Sequence, residues 1–146
     1  IWVKEHPVLT RKDFMGNHEW CFYGWREGAA HWFNPEITNA TDVWSVKKVS
    51  PNAMVHLTEK PVELAARALT YSSKAGQTVL DLFGGSGSTL IACEKLGRWA
   101  RLMEIDPPYC DVIIRRWQEY AGKTATLEGD GRSFDEIRGE RVHDRA

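Results

Sequence analysis

Gln77-Thr78-Val79-Leu80-Asp81-Leu82-Phe83-Gly84-Gly85-Ser86-Gly87-Ser88-Thr89-Leu90 reads as a strand, a glycine turn and a helix start, with an acidic residue at the strand end. Glycines let the backbone approach a ligand closely, and the first turn of a helix presents N–H groups without intrahelical partners. The stretch therefore suits a cofactor that carries an adenosine and a polar tail. What flanks it decides which cofactor.

Upstream, Pro61 favours a helix start through its fixed φ and missing donor, and Val62, Leu64, Ala65 and Leu69 supply an apolar face. That predicts a helix from about Pro61 to Tyr71, then a loop over Ser72-Ser73-Lys74-Ala75-Gly76 and a strand from Thr78 to Phe83. A helix from Ser88 to Leu96 follows, with Gly97 as its stop. Trp99 to Ile105 reads as the next strand, about Pro107 to Tyr120 as a third helix, and Thr124 to Leu127 as one more strand. Strands alternating with helices imply an α/β fold with a parallel sheet. The charged tail from Arg138 to Ala146 is expected to fray.

The texture differs before Pro51. Trp2, Phe14, Trp20, Phe22, Tyr23, Trp25, Trp32, Phe33 and Trp44 are spaced by glycine and polar residues without helical period. Short strands are expected at Ile1-Trp2-Val3, at Trp20 to Trp25 as a buried strand, and at Val43 to Val46. Clustered aromatics of this kind are more often core than ligand platform; the alternative is a surface that stacks on bases. The chain thus divides into an aromatic-rich segment (1–50), an α/β portion (51–137) and a charged tail (138–146).

With 146 residues and 42% hydrophobic composition, one globular domain is expected. The net charge of -1 gives no global basic field, so any contact with nucleic acid must come from a local patch. Lys4, Arg11, Lys12, Arg26, Lys47 and Lys48 are candidates for one. Cys21, Cys93 and Cys110 lie far apart and are odd in number, which argues against a disulfide framework and for a reducing cytoplasm. No apolar run reaches the roughly 18 residues of a membrane span. The histidines show no metal-ligand spacing. The chain begins at Ile1, within an apparent strand, which reads as a fragment.

The glycine turn has competitors. A phosphate-binding P-loop places lysine, then serine or threonine, after its last glycine, whereas Gly87 is followed by Ser88-Thr89. A dinucleotide site wants G-x-G-x-x-G or A; Gly85-Ser86-Gly87 supplies its first half, yet Leu90 stands where the small third residue should pack. NAD ranks second. Glu104 ends the next strand, about 20 residues beyond the glycines, where an acidic residue accepts paired ribose hydroxyls. The bland alternative for Glu104 is a solvated carboxylate at a strand end.

Three elements now stand in order: His56-Leu57-Thr58-Glu59-Lys60-Pro61, Asp81 to Thr89, and Glu104-Ile105-Asp106-Pro107. Together they resemble the C-terminal part of the amino-group DNA methyltransferases, in the beta-class motif order, which methylate adenine N6 or cytosine N4 with S-adenosylmethionine. The resemblance is specific from about His56 to Tyr120; the aromatic third is similar to the family's variable target-facing region. It implies a Rossmann-like S-adenosylmethionine-dependent methyltransferase fold, incomplete here. Carried over, Asp81, Phe83, Gly85 and Gly87 would line the methionine side of the cofactor. Thr58 and Lys60 would lie near its carboxylate, Glu104 would hold the ribose, and Ile105 would pack on the adenine. Alone, Thr58-Glu59-Lys60-Pro61 would read as a capped helix start.

Asp106-Pro107-Pro108-Tyr109 spells the family's catalytic tetrapeptide, in which acceptors bind the target amino group and the aromatic stacks on a flipped base. It sits two residues beyond Glu104, however, where a helix start is expected anyway. In the resembled arrangement the catalytic tetrapeptide would precede Ile1. The catalytic residues are therefore unassigned, and the isolated chain is expected to be inactive. The implied mechanism is direct: acceptors on the amine's hydrogens push it toward tetrahedral nitrogen, which attacks the sulfonium methyl in line. Double-stranded DNA is the partner implied, with a homo-oligomer as a further expectation, in a restriction-modification setting. The alternatives are a non-catalytic S-adenosylmethionine or DNA-binding module completed by a partner chain, a minimal enzyme using Asp106, and an NAD-dependent oxidoreductase.

Overall fold

The structure, a computed structural model, describes residues 1–7, 9, 11–49 and 59–143, the last three of these by backbone alone. The expected boundary at Pro51 and the residue Thr58 lie outside the described residues.

From Glu59 onward the chain is an α/β body. Helix α1 (Val62–Ser72) begins after Pro61, which is extended at φ -60 and ψ 136 and caps it by position. Strand β4 (Thr78–Asp81), helix α2 (Ser88–Leu96), strand β5 (Trp99–Leu102) and helix α3 (Pro107–Ala121) follow. Strands β4 and β5 pair in parallel, Thr78 opposite Trp99 through Asp81 opposite Leu102. Helix α2 is the centre of the body: it packs on α1, α3 and β5 and buries Ile91, Ala92 and Cys93. It stops at Gly97, whose left-handed φ of 68 is reached without strain by glycine. Ile113 of α3 completes the core.

The aromatic segment forms a small sheet of two-residue strands, in the order β2 (His18–Glu19), β1 (Trp2–Val3), β3 (Trp44–Ser45). Trp2 is 1% exposed and donates its indole N–H to the Val46 carbonyl at 2.9 Å. Beyond this sheet the segment leans on the end of α1. The Asn34 N–H donates to the Tyr71 carbonyl at 2.8 Å, and Phe33 and Trp44 meet the Tyr71 ring.

Three expectations fail here. Trp20 to Trp25 is neither strand nor core: it makes no ladder, and Phe22 is 98% exposed. Tyr23 and Trp25 instead gather around His31, with Trp25 stacked on its ring and the Tyr23 hydroxyl 2.6 Å from His31 Nε2. Thr124 to Leu127 makes a single bridge, Thr126 to Ser133, because Gly129 and Gly131 at positive φ fold the chain straight back. The charged tail is helical as far as His143, in helix α4 (Phe134–His143). Ser133 and Glu136 form a reciprocal capping box: the Ser133 N–H donates to Glu136 Oε2 at 2.8 Å and the Glu136 N–H donates to Ser133 Oγ at 3.3 Å.

Both central strands also end earlier than expected. Asp81 Oδ1 accepts the Phe83 N–H at 2.9 Å, a local turn that draws the chain off the ladder two residues sooner. Among the described residues no helix is long and apolar enough to cross a membrane.

Candidate functional site

The glycine turn is fitted to its surroundings atom by atom. The Gly84 N–H donates to the Met103 carbonyl at 2.8 Å, and a Cβ on Gly84 would stand 3.0 Å from Ile113 Cδ1 and 3.2 Å from that same carbonyl oxygen. Gly87 caps α2 by position in the left-handed region at φ 81, where a Cβ would meet Ile113 Cγ2 at 3.1 Å. Glycine at both positions lets helix α3 lie this close without its neighbours giving way. Gly85 differs, with φ 53 and only the Phe83 carbonyl oxygen, at 3.8 Å, within ordinary contact of a Cβ placed there. The first intrahelical bond at this end runs from the Ile91 N–H to the Gly87 carbonyl at 3.1 Å, so the N–H groups of Ser88, Thr89 and Leu90 have no intrahelical partner at the helix start.

Glu104 joins the turn to the neighbouring strand end. Its Oε2 accepts the Gly85 N–H at 2.7 Å and its Oε1 accepts the Asp106 N–H at 2.9 Å. One half-buried carboxylate thus ties the turn after β4 to the start of α3. Asp81, Gly85, Gly87 and Glu104 converge at the C-terminal ends of two adjacent parallel strands, where open α/β sheets bind their ligands. Phe83 and Ile105 stand beside them, 87% and 97% exposed.

Lys60 enters from the other side. Its carbonyl accepts the Ser88 hydroxyl at 2.6 Å, which pins the segment before α1 to the first residue of α2. Its ammonium bonds Glu19 at 2.6 Å. Glu59, 5% exposed, pairs with Arg116 of α3 at 2.8 Å, and the same guanidinium donates to the Ser86 carbonyl inside the glycine turn. Glu59, Arg116, Glu19 and Ile113 did not emerge from the sequence as site residues. Glu59 and Arg116 are 57 residues apart in the chain, Glu19 and Lys60 41, and Arg116 and Ser86 30, and no local pattern marks such pairs.

Asp106 caps α3 by position, at φ -92 and ψ 111, with Pro107 and Pro108 in the first turn, where proline's missing donor costs nothing. The Asp106 carbonyl accepts the N–H groups of Tyr109 and Cys110 at 3.0 and 3.1 Å. The expected helix start is therefore present. Burial pushes the Cys110 thiol up from its ordinary pKa, with the Glu104 carboxylate adding to the effect, and burial does the same to Cys93. Both stay protonated at neutral pH and are poor nucleophiles. Among the described residues no group of three or more His, Cys, Asp or Glu is placed to hold a metal ion.

Two cavities flank these elements. The larger, about 670 Å³, lies between α3, the Ala125-Thr126-Leu127 segment and α4, and none of the glycine-turn residues lines it. The smaller, about 540 Å³, runs from Lys60, Ser88 and Thr89 along α1 to Trp44 and Tyr71. Size does not single out the functional one; the backbone donors and the carboxylates converge at the strand ends and at Lys60.

Comparison with known proteins identifies the family. A family model for DNA methylases of the N6/N4 type matches residues 4–115, and the chain belongs to that family. The type II methyltransferase M2.DpnII of Streptococcus pneumoniae is 36% identical over 129 residues, covering 79% of this chain and 48% of that protein. M.Cfr9I of Citrobacter freundii, also a type II methyltransferase, is 29% identical over 118 residues, covering 80% of this chain and 39% of the relative. The chain thus spans less than half the length of these curated relatives. The crystal structure of an M1.HpyAVI-SAM complex superposes with a TM-score of 0.63 at 24% identity, covering 79% of this chain and 58% of that one. The α/β body has the Rossmann-like fold of that methyltransferase.

Proposed function

We propose that this chain is the cofactor-binding part of a site-specific DNA methyltransferase that acts on adenine N6 or cytosine N4 with S-adenosylmethionine as donor. The observation that carries the reading is the 2.7 Å bond between the Gly85 N–H and Glu104, which sets a nucleoside-type carboxylate against an open glycine turn. The donor set fits the ligand. A carboxylate oxygen can accept two donors, so Glu104 can take paired ribose hydroxyls while keeping its backbone bonds. Ile105 supplies an apolar surface for the adenine, and Asp81, Phe83, Gly85 and Gly87 border the methionine side. Lys60, with Thr58 beside it in sequence, faces the carboxylate end.

When bound, the cofactor supplies an electrophilic sulfonium methyl. The chain's own residues bind and orient; none of those described here is assigned to the amine. Asp106 to Tyr109 serve as the start of α3, so the isolated chain transfers no methyl group. Residues 1–50 form the part that faces duplex DNA, 51–137 the cofactor portion and 138–146 an accessory tail. A restriction-modification role in the cytoplasm, as a monomer or a homo-oligomer, is consistent with this reading.

Calorimetry with S-adenosylmethionine and with NAD tests it. The methyl donor should bind and NAD should not, and Glu104→Ala should weaken the methyl donor about tenfold or more, the loss of a charged hydrogen bond. Tight NAD binding with no affinity for S-adenosylmethionine would reverse the assignment. Methyl transfer to DNA by the isolated chain, abolished by Asp106→Ala, would show that the tetrapeptide is catalytic after all.

A further inference from the structure

Lys4, Glu19 and Lys60 form a cluster that the proposed function does not use in full. Glu19 Oε1 is 2.5 Å from Lys4 Nζ and Glu19 Oε2 is 2.6 Å from Lys60 Nζ, so one carboxylate is shared between two ammonium groups. Both ammoniums also stand over the Trp2 ring, at 5.2 and 5.3 Å from its centroid, and such cation–π contacts strengthen as water is excluded. Trp2 and Lys4 are buried, and the Lys60 side chain is half exposed. Among the described residues no other carboxylate pairs with either lysine.

The charges do not balance: two lysines face one glutamate, leaving one positive unit at a partly desolvated site. The exposed member is Lys60, whose own carbonyl is bonded to Ser88 at the N-terminus of α2. From that imbalance we infer that Glu19 is an internal counter-ion that yields Lys60 to an incoming carboxylate. The ligand's carboxylate then pairs with Lys60 while Glu19 stays with Lys4. One shared pairing becomes two separate, neutral pairs. Resting on the S-adenosylmethionine reading above, this names the residues of the small N-terminal sheet that set affinity for the amino-acid tail, with Glu19 acting as a positioning residue through Lys60. It also couples that sheet to the cofactor site, because β2 carries Glu19 and β1 is followed directly by Lys4.

The test is calorimetry on the full chain with two ligands: S-adenosylmethionine, and 5′-methylthioadenosine, a similar nucleoside without the amino-acid tail. Glu19→Gln should tighten S-adenosylmethionine by about fivefold or more, the lower end of typical site coupling, and leave methylthioadenosine unchanged. The same substitution made on a Lys60→Met background should have no effect on either ligand, as a coupled pair requires. Weaker or unchanged binding of S-adenosylmethionine by Glu19→Gln would overturn the inference, and so would an equal shift for both ligands, the mark of a merely structural role. If the native chain binds neither nucleoside, the cofactor reading itself falls and takes this one with it. If it binds both equally well, only the role given to Lys60 and Glu19 falls.

Discussion

The α/β body and the aromatic segment are held by different means. In the body, α2 is enclosed by α1, α3 and β5, and its Ile91, Ala92 and Cys93 are buried by contacts from three directions. The segment before it has three strands of two residues each, with Trp2 and Val46 its buried apolar residues, among those described. It is fastened at a few points: the Lys60–Glu19 pair, the Asn34 bonds to the end of α1, and the rings around Tyr71. Periodic sequence builds a body with a core of its own, while unpatterned aromatics lean on that body through polar clips.

Substitutions can break that contrast. The largest effects should come from residues buried at the joints. Glu59→Ala leaves the Arg116 guanidinium without its buried partner and should cost about 3–5 kcal/mol, read from a denaturant melt. Glu59→Ala combined with Arg116→Met should recover part of that loss. Trp2→Ala should cost a similar 3–5 kcal/mol or so for a large buried ring. A loss under about 1 kcal/mol would mean that the small sheet is not cooperatively joined to the body.

Gly87→Ala comes next. It combines a positive φ with a 3.1 Å approach to Ile113 and should lower stability by about 2 kcal/mol. Phe22→Ala should stay within about 0.5 kcal/mol, since the ring is exposed. A large effect there would move the aromatic run back into a core.

The smallest expected signal is a pH dependence. Burial works to raise the Glu19 carboxyl, but the hydrogen bonds and charges of Lys4 and Lys60 outweigh it and hold the pKa below its ordinary value of 4.5. A depressed carboxyl contributes stability that is present above the unfolded pKa and lost as pH falls through the folded one. Melts of the native chain should therefore lose more stability below about pH 4.5 than those of Glu19→Gln.

Much of the body was legible in the sequence. Helix α2 and its stop at Gly97 lie where proline, glycine and apolar spacing put them, as do the parallel pairing of β4 with β5 and the start of α3 at Pro107. These features follow from neighbours in the chain. The Ser133-Phe134-Asp135-Glu136 box that starts α4 was equally local and was available to be read. Trp20 to Trp25 was misleading because aromatic composition alone does not supply a pairing strand. In the site, the glycine turn and Glu104 were visible as a register of residues about 20 apart. The clip of Glu59, Arg116 and the Ser86 carbonyl was not, because it joins three separate elements and only folding brings them together.

The Gly84 bond to Met103, the Gly85 bond to Glu104 and the Arg116 bond to Ser86 stitch the turn on three sides. On the proposed function, a cofactor docking there would meet backbone already held in shape. Little conformational entropy would then be left to lose at that spot, so recognition at the turn would resemble a key entering a cut lock, with the adjustments of fit falling to Lys60 and the side chains around it.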